Sequence, residues 1–432
     1  MAHTTAKSAY RSLTDRINLF SQGAPPHRLL YRILEMLFSE KEAAFVAKMP
    51  IKPFTARQAA KLSGLREAEA GRMLEALASR TVLLDVETDG ETTYFLPPPM
   101  AGFFEFTLMK VRGDIDQKLL SELFHQYINE EEDFIRELMA CGETNLGRIF
   151  VNEPAVDASL GRGESLTVMD WERASEAVER AKDIGIGLCY CRHKASHVGR
   201  ACGAEMRNCM AFNSTATSLI RHGHIERVDK KEALDILRRS QEQGLVQFGE
   251  NARETVSFIC NCCGCCCEVL VAAKRFGMLT NVNTTGFLPK VDARLCDGCG
   301  RCVTACPVEA MGMVSANDPK LPARRKARLD ERICLGCAVC LRACSRNALS
   351  LTPRLERKIT PVTSVHKYVL MAIERGKLQN LIFDSHALWN HRAMAAILGA
   401  ILRLPPVAKA MASRQMKSRY LEKLITGLNI TG

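Results

Sequence analysis

The sequence predicts an α+β protein made of several domains. Segments with apolar residues at helical spacing alternate with short apolar runs that end at turn residues, the pattern of mixed helix and strand. The chain has 432 residues, enough for about two to four domains, and its 47% hydrophobic and 25% charged residues are ordinary for globular proteins. Of its 19 cysteines, all but Cys141 lie within residues 189–344, which places thiolate chemistry in the middle of the chain.

The N-terminal part is expected to be a short segment, residues 1–27, followed by a compact domain over residues 28–97. Apolar spacing, a Thr55 cap and an Asp-Gly turn predict its elements. These are helices over 28–48, 56–62 and 66–80 and a hairpin with strands over 82–86 and 92–96. Helices and a hairpin in this order resemble a winged helix.

The charge of this domain favours a protein-interaction module over a DNA-binding module. Residues 50–100 carry six basic and seven acidic side chains. The hairpin that would form the wing has no basic residue, and its acidic residues are Asp85, Glu87, Asp89 and Glu91. Because contacts to phosphate dominate affinity for DNA, an acidic wing opposes binding. Nucleic acid is therefore not expected as a partner.

Two groups of cysteines follow a helical region over residues 98–183, in which one amphipathic helix is expected over 119–140. Residues 184–287 are predicted to form a cysteine-rich α/β domain. Strands over 184–188 and 256–259 each end at cysteines, with a helix over 230–243 between them. The first group is Cys189, Cys191, Cys202 and Cys209, and the second is Cys260, Cys262, Cys263, Cys265, Cys266 and Cys267.

These ten cysteines predict metal binding, since adjacent thiolates repel unless a metal neutralises them. The first group and four of the second could each hold an iron–sulfur cluster, or one cluster could draw on both groups; zinc is the alternative metal. The motifs C-Y-C-R at 189–192 and C-N-C-C-G-C-C-C at 260–267 are similar to those of a family of bacterial iron–sulfur proteins without an assigned reaction. That resemblance, over roughly residues 184–430, supports iron–sulfur binding, and the ten cysteines predict one or two further clusters in residues 189–267.

Residues 288–352 contain two copies of the spacing C-x2-C-x2-C-x3-C. The first copy is Cys296, Cys299, Cys302 and Cys306, followed by Pro307, and the second is Cys334, Cys337, Cys340 and Cys344, followed by Ser345. Two-residue gaps let three successive thiolates wrap one face of a [4Fe-4S] cubane, and the fourth comes from the other copy. Zinc sites instead use two C-x-x-C pairs separated by a long loop.

The doubled motif resembles the bacterial two-cluster ferredoxin. The resemblance implies two ligand sets, which are Cys296, Cys299, Cys302 and Cys344 for one cluster and Cys334, Cys337, Cys340 and Cys306 for the other. Ser345, where proline is usual, adds a hydroxyl near one cluster, so the two clusters need not have the same potential. The basic run at 323–328 has two interpretations, a solvated loop or a docking site for an acidic partner.

Residues 353–432 are predicted to be a basic helical region. The expected elements are helices over 365–374 and 386–402, a strand-like stretch over 378–383 and a last helix ending near residue 425. From residue 320 to 432 there are 21 Lys and Arg against 6 Asp and Glu, in a chain of net charge +11. This charge could face nucleic acid, anionic lipid or an acidic protein, and the expected partner is an acidic electron-transfer protein or oxidoreductase.

Single-electron transfer is the leading functional interpretation. The chain start lacks the apolar segment of a signal peptide, and no apolar run approaches the ~18 residues of a membrane span, so a cytoplasmic location is expected. Nucleotide-binding and zinc-protease motifs are absent from the sequence. We therefore expect a relay between a cytoplasmic donor and a partner oxidoreductase. The alternative is a redox-responsive regulator using the winged helix, and the third is a reductase with its active site at a middle-domain cluster.

Overall fold

The computed structural model describes residues 2–139, 142–161, 166–276, 282, 284–356, 358 and 360–402. The chain divides into two compact units. The first contains Met1–Thr144, Ser214–Glu226 and Thr363–Gly432, and the second contains Asn145–Asn213 and Arg227–Val362. Helices and strands are both present, which confirms the predicted mixed class. Within the described residues, no helix is both long and apolar enough to cross a membrane.

Most of the first unit is helical. Its helices are Ala2–Asn18, Arg28–Leu37, Glu40–Val46, Ala56–Ser63, Glu67–Ala78, Phe104–Phe106, Gln117–Phe124, Glu132–Met139, Ser364–Glu374, Leu378–Ile382 and Trp389–Leu402. The helix Asn213–Arg221 also belongs to this unit, except for Asn213, which belongs to the second unit. Three strands form one small sheet in the order Phe54–Thr55, Glu91–Phe95 and Leu84–Thr88. The last two are the predicted hairpin.

The helix predicted over 28–48 is two helices, because Ser39 starts a new one. Phe38 has extended backbone angles. The Ser39 hydroxyl accepts a hydrogen bond from the Glu42 N–H, and the Glu42 carboxylate accepts one from the Ser39 N–H. This reciprocal cap satisfies N–H groups that lack partners at a helix start. The predicted cap at Thr55 is present, since its hydroxyl accepts a hydrogen bond from the Gln58 N–H.

The stretch 378–383, expected to be strand-like, is the helix Leu378–Ile382. Leu378 and Leu381 pack in one apolar cluster with Val369. Their spacing of three places both leucines on one face of a helix, whereas a strand would point them to opposite faces. The amphipathic helix predicted over 119–140 is likewise interrupted, by a wider turn over His125–Glu130. The last helix predicted near residue 425 lies outside the described residues.

The acidic hairpin of the first unit binds a helix of the same unit. Asp85 is buried, and its carboxylate accepts hydrogen bonds from Ser218 and from Arg221, the latter at 2.8 Å. Arg221 also donates to Glu87 at 2.8 Å. Burial alone would raise the pKa of Asp85, but hydrogen bonds from His222 and Ser218 hold it well below its usual range. Two of the four acidic side chains predicted on the wing are therefore occupied within the chain.

The second unit contains a six-stranded sheet. Its strands lie in the order Gly147–Ile149, Val246–Glu250, Phe258–Cys262, Arg207–Phe212, Ile184–Leu188 and Glu226–Arg227. The helices of this unit are Glu153–Gly161, Ala174–Arg180, Tyr190–His197, Lys230–Glu242, Glu268–Phe276, Arg301–Thr304 and Val339–Ala343. One face of the sheet is apolar and packs on Ala233, Ile236 and Leu237 of the helix Lys230–Glu242.

Two short antiparallel hairpins surround the doubled cysteine motif. One pairs Phe287–Val291 with Leu349–Pro353, and the other pairs Met311–Ser315 with Arg325–Leu329. The basic run at 323–328, for which one interpretation was a solvated loop, is therefore largely strand. Arg324, at its start, donates to Asp318 at 3.1 Å and to the Cys296 carbonyl at 3.2 Å. Its charge is used to hold the loop beside the first cysteine of the motif.

Candidate metal centres

Two neighbouring strands carry cysteines on one face of the six-stranded sheet. Ile259 and Met210 are paired across these strands, and both lie in the apolar cluster on one face. Because side chains alternate along a strand, Cys260 and Cys262 on one strand and Cys209 on the next point to the opposite face. The sheet thus collects three thiols on the side away from its apolar core.

Residues at two helix starts add three more thiols. Cys189 precedes the helix Tyr190–His197, Cys191 lies in its first turn, and Cys267 precedes the helix Glu268–Phe276. Hydrogen bonds join Cys189 to Cys191, Cys191 to Cys267, Cys267 to Cys262, Cys262 to Cys260, and Cys260 to Cys209. We refer to Cys189, Cys191, Cys209, Cys260, Cys262 and Cys267 as the six-thiol group.

Hydrogen bonds within the six-thiol group shift thiol pKa values in opposite directions. Those from Cys209 and Cys262 hold the pKa of Cys260 well below its usual range. Hydrogen bonds from Cys191 and Cys262 likewise hold the pKa of Cys267 well below its usual range. The pKa values of Cys191 and Cys262 themselves are raised well above their usual range. Thiols this close together must keep protons between them, because two neighbouring thiolates would repel each other. A bound metal replaces those protons, so this donor set fits a metal centre.

The other four thiols of the middle region form a tighter group, which we call the four-thiol group: Cys202, Cys263, Cys265 and Cys266. Their Sγ atoms all lie within 4.8 Å of one another. One of the two predicted arrangements grouped Cys202 with Cys189, Cys191 and Cys209, and the other drew on both cysteine groups. In the structure, Cys202 lies with cysteines of the second group. The chain leaves Cys191 along an eight-residue helix, about 12 Å long, and returns to the six-thiol group at Cys209 on the strand Arg207–Phe212.

The buried guanidinium of Arg192 lies beside both cysteine groups. Arg192 has no exposed surface, and it donates hydrogen bonds to the Asn208 side chain and, at 3.2 Å, to the Asn261 carbonyl. Its Nη1 is also 3.8 Å from the Cys263 Sγ. Burial alone would lower the pKa of Arg192, but the thiolates of Cys189 and Cys263 raise it above its usual value. A fixed positive charge therefore offsets the negative charge of the sulfurs.

Sequence reasoning missed Arg192 and its two asparagine partners. The signal was present, because an arginine follows the second cysteine of the first motif. The strand predicted over 256–259 was also displaced. It is Phe258–Cys262, so Cys260 and Cys262 lie within the strand and not beyond its end. Cysteine is a small, apolar residue that is readily buried. The five cysteines around Gly264 do not alternate with polar residues, so the sequence did not show where the strand ends.

In the doubled motif, one cavity lies among four cysteines. Its wall includes Cys296, Cys299, Cys302 and Cys344. The rest of the wall includes apolar side chains from both hairpins, such as Val291 and Met313. The structure thus brings together the four residues that the resemblance assigned to one cluster, in a site of suitable chemistry for it.

The other four cysteines of the motif influence one another electrostatically. Burial first, and then the neighbouring thiolates of Cys334 and Cys306, raise the pKa of the Cys337 thiol to about 12. Burial likewise raises the pKa of Cys340 well above its usual range, with the same neighbours contributing. Buried thiols resist ionisation until a cation compensates them. Cys306 therefore lies close enough to Cys337 and Cys340 to influence their ionisation.

Backbone N–H groups donate to the sulfurs at equivalent positions of the two copies. The Ala310 N–H donates to the Cys306 Sγ at 3.2 Å, and the Ala348 N–H donates to the Cys344 Sγ at 3.3 Å. Gly298 and Gly336 also match between copies, with φ of +76° and +72°. A Cβ on Gly336 would collide with the Phe287 carbonyl. The repeated backbone thus fixes where the thiols point, and its N–H groups stabilise thiolate charge.

Replacing Cys299 or Cys337 with alanine in the full chain should remove one cluster each. Each alanine leaves one iron of a cubane without its thiolate, so iron should fall by about four per chain. Iron analysis and EPR of the reduced protein measure this loss, with Cys141→Ala as the matched control. Unchanged iron and EPR signals in either variant would contradict the assignment of these two ligands.

Residues 295–365 match the model of the family described as 4Fe-4S dicluster domain. The match includes all eight cysteines of the doubled motif and extends beyond residue 352, where the sequence analysis ended this domain. A search of curated proteins and a search of solved structures gave no match for the chain. Together with the cysteine groups, the family match confirms the prediction that the chain contains an iron–sulfur domain.

Proposed function

We propose that this protein relays single electrons between a cytoplasmic donor and a partner oxidoreductase through iron–sulfur clusters. The observation that carries the proposal is the dicluster match over residues 295–365, in which the eight cysteines occupy two sets suited to two cubanes. When bound, each [4Fe-4S] cluster supplies a one-electron couple. The residues that would hold them are Cys296, Cys299, Cys302 and Cys344 for one and Cys334, Cys337, Cys340 and Cys306 for the other.

The protein residues around these sets control the potential and the access of water. Apolar residues of both hairpins, among them Met311 and Leu349, pack around Cys302 and Cys340. Their low polarity disfavours the added negative charge of a reduced cluster, whereas N–H donors to sulfur favour it. The two sets differ in these groups: Arg301 donates to the Ser345 hydroxyl at 3.2 Å beside the first. We therefore expect two distinct potentials.

The six-thiol group is our proposed site for a third cluster. It supplies more than the four thiolates that a cubane requires, and Arg192 beside it provides a compensating charge. No single ion would use all six sulfurs, because the described residues place only the four-thiol group within 4.8 Å of one another. A cluster, whose irons each take a separate ligand, matches a chain of thiols linked in pairs.

The exposed basic side chains of the strand Arg325–Leu329 are the proposed docking site for an acidic partner. Arg325 and Arg328 are exposed and Lys326 is half-buried, whereas Arg324 is engaged by Asp318. This strand also contacts the first ligand set directly, since the Ala327 N–H donates to the Cys296 Sγ at 3.5 Å. A partner bound here would lie close to a cluster.

Changing Arg325, Lys326 and Arg328 together to glutamine should slow electron transfer at low salt and have little effect at high salt. Charge steering raises association rates, and this gain falls steeply with ionic strength. Stopped-flow reduction by an acidic redox protein measures the rate. The control variant changes three exposed basic residues elsewhere in the second unit, Arg180, Lys231 and Arg238, to glutamine. Equal slowing in both variants, or rates independent of salt, would contradict docking at this strand.

The winged-helix-like region is proposed to serve in protein interaction. Its acidic hairpin already binds Arg221 through Asp85 and Glu87, and an anionic surface is repelled by phosphate. Full-length protein should therefore not retard duplex DNA at ~0.15 M salt, where weak phosphate attraction is screened. Submicromolar, sequence-selective binding that changes with oxidation would instead support the redox-responsive regulator.

A further inference from the structure

The sulfurs of the four-thiol group have the spacing of ligands that share a single ion. The Sγ atoms of Cys202 and Cys263 are 3.7 Å apart, and those of Cys265 and Cys266 are also 3.7 Å apart. All four lie within 4.8 Å of one another. Four thiolates arranged as a tetrahedron around one ion, each at about 2.3 Å from it, lie about 3.8 Å from one another.

Cubane ligands have a different requirement. Each thiolate binds a separate iron of the cluster, so four such sulfurs cannot all lie as close together as four that share one ion. Among the residues that the structure describes, the four-thiol group is the only set of three or more Cys, His, Asp or Glu with ligand atoms within 4.8 Å of one another. The eight cysteines of the dicluster domain are all described, and no three of them lie within 4.8 Å of one another.

We propose that Cys202, Cys263, Cys265 and Cys266 bind one tetrahedral metal ion, zinc or iron, and not a cluster. Tetrahedral coordination by four thiolates is typical of these two metals. This site goes beyond the proposed relay, because binding of an ion there does not depend on electron transfer through the cubanes. It also separates the ten middle cysteines into two centres of different kinds.

The local chain is built to hold such an ion. Cys263, Cys265 and Cys266 lie on one turn, which is closed by a hydrogen bond from the Cys267 N–H to the Cys263 carbonyl at 3.3 Å. Four thiolates around a divalent ion leave a net charge of about −2. The Arg192 guanidinium, 3.8 Å from the Cys263 Sγ, compensates part of this charge inside the protein.

The turn also packs against the dicluster domain within the same unit. A Cβ on Gly264 would lie 2.8 Å from the Pro307 Cα, and Pro307 directly follows Cys306. An open cleft is lined by Cys202, Cys263 and Cys265 on one side and by Cys306 on the other. An ion in the four-thiol group would therefore fix the turn beside a ligand of the second cubane.

The test compares metal with sulfide in full-length protein purified without oxygen. Iron equals acid-labile sulfide in [4Fe-4S] clusters, so iron plus zinc should exceed sulfide by about one ion per chain. Cys265→Ser and Cys202→Ala should each remove that excess ion, with sulfide and the cluster EPR signals unchanged. Cys141→Ala should lose nothing. Metal analysis of these variants then shows whether the ion lost from the site is zinc or iron.

Two results would overturn the proposal. One is equality of iron and sulfide without zinc in the wild-type protein, a measurement that does not depend on whether any variant folds. The other is a parallel loss of about four iron and four sulfide per chain in Cys265→Ser, as expected when a cubane loses a ligand.

Discussion

Replacing Arg192 with glutamine is expected to lower the reduction potential of the cluster proposed for the six-thiol group by on the order of 100 mV. Reduction adds negative charge, and a buried cation nearby stabilises the reduced state. With an effective dielectric constant of ~20 and a separation of roughly 6 Å, the loss of that cation is worth about 3 kcal/mol, a factor of about 100 in the equilibrium. EPR-monitored redox titration of the full-length protein measures the shift.

Arg192→Lys is the matched control, because it keeps the charge while changing the hydrogen bonds to Asn208 and Asn261. The lysine variant should retain most of the wild-type potential, provided that its iron content is unchanged. The clusters of the dicluster domain should keep their potentials in both variants. Equal shifts in the lysine and glutamine variants would show that hydrogen-bond geometry, and not charge, is what Arg192 contributes.

Replacing Cys260 and Cys267 together with alanine is expected to remove the third cluster completely. Both thiols are hydrogen-bonded to two neighbours and have depressed pKa values, so they connect the six-thiol group. Iron should fall by about four per chain, one cubane, while the EPR signals of the dicluster domain remain. Loss of all clusters at once would mean that the middle region is required for folding of the unit, and unchanged iron would exclude the six-thiol group as a cluster site.

The dicluster domain could be predicted from the sequence because its ligands lie at fixed, short spacings. Spacing of two and three residues determines how thiolates wrap a cubane, and the family match over residues 295–365 agrees with it. The hairpin of the first unit was equally accessible, since Asp89 and Gly90 turn between alternating strands, both with positive φ. In each case the information is local.

The grouping of the middle cysteines could not be predicted in this way, because it depends on contacts between distant segments. Cys202 joins Cys263 only after two helices and four strands between them have been placed. The sequence shows only the distance of Cys202 from Cys191 and Cys209. Arg324 is a similar case. In the sequence, Arg324 is one of several neighbouring basic residues with no sign of a specific partner. Its hydrogen bond to the Cys296 carbonyl appears only in the folded loop.

The central claim is that the full chain carries iron–sulfur clusters in both the dicluster domain and the six-thiol group. Iron and acid-labile sulfide per chain, measured on anaerobically purified full-length protein together with EPR of the reduced state, test it most directly. We expect about twelve sulfide per chain, which corresponds to three cubanes, and signals from more than two clusters. About eight sulfide per chain with signals from two clusters only, or zinc in place of the iron of the third cubane, would contradict the account.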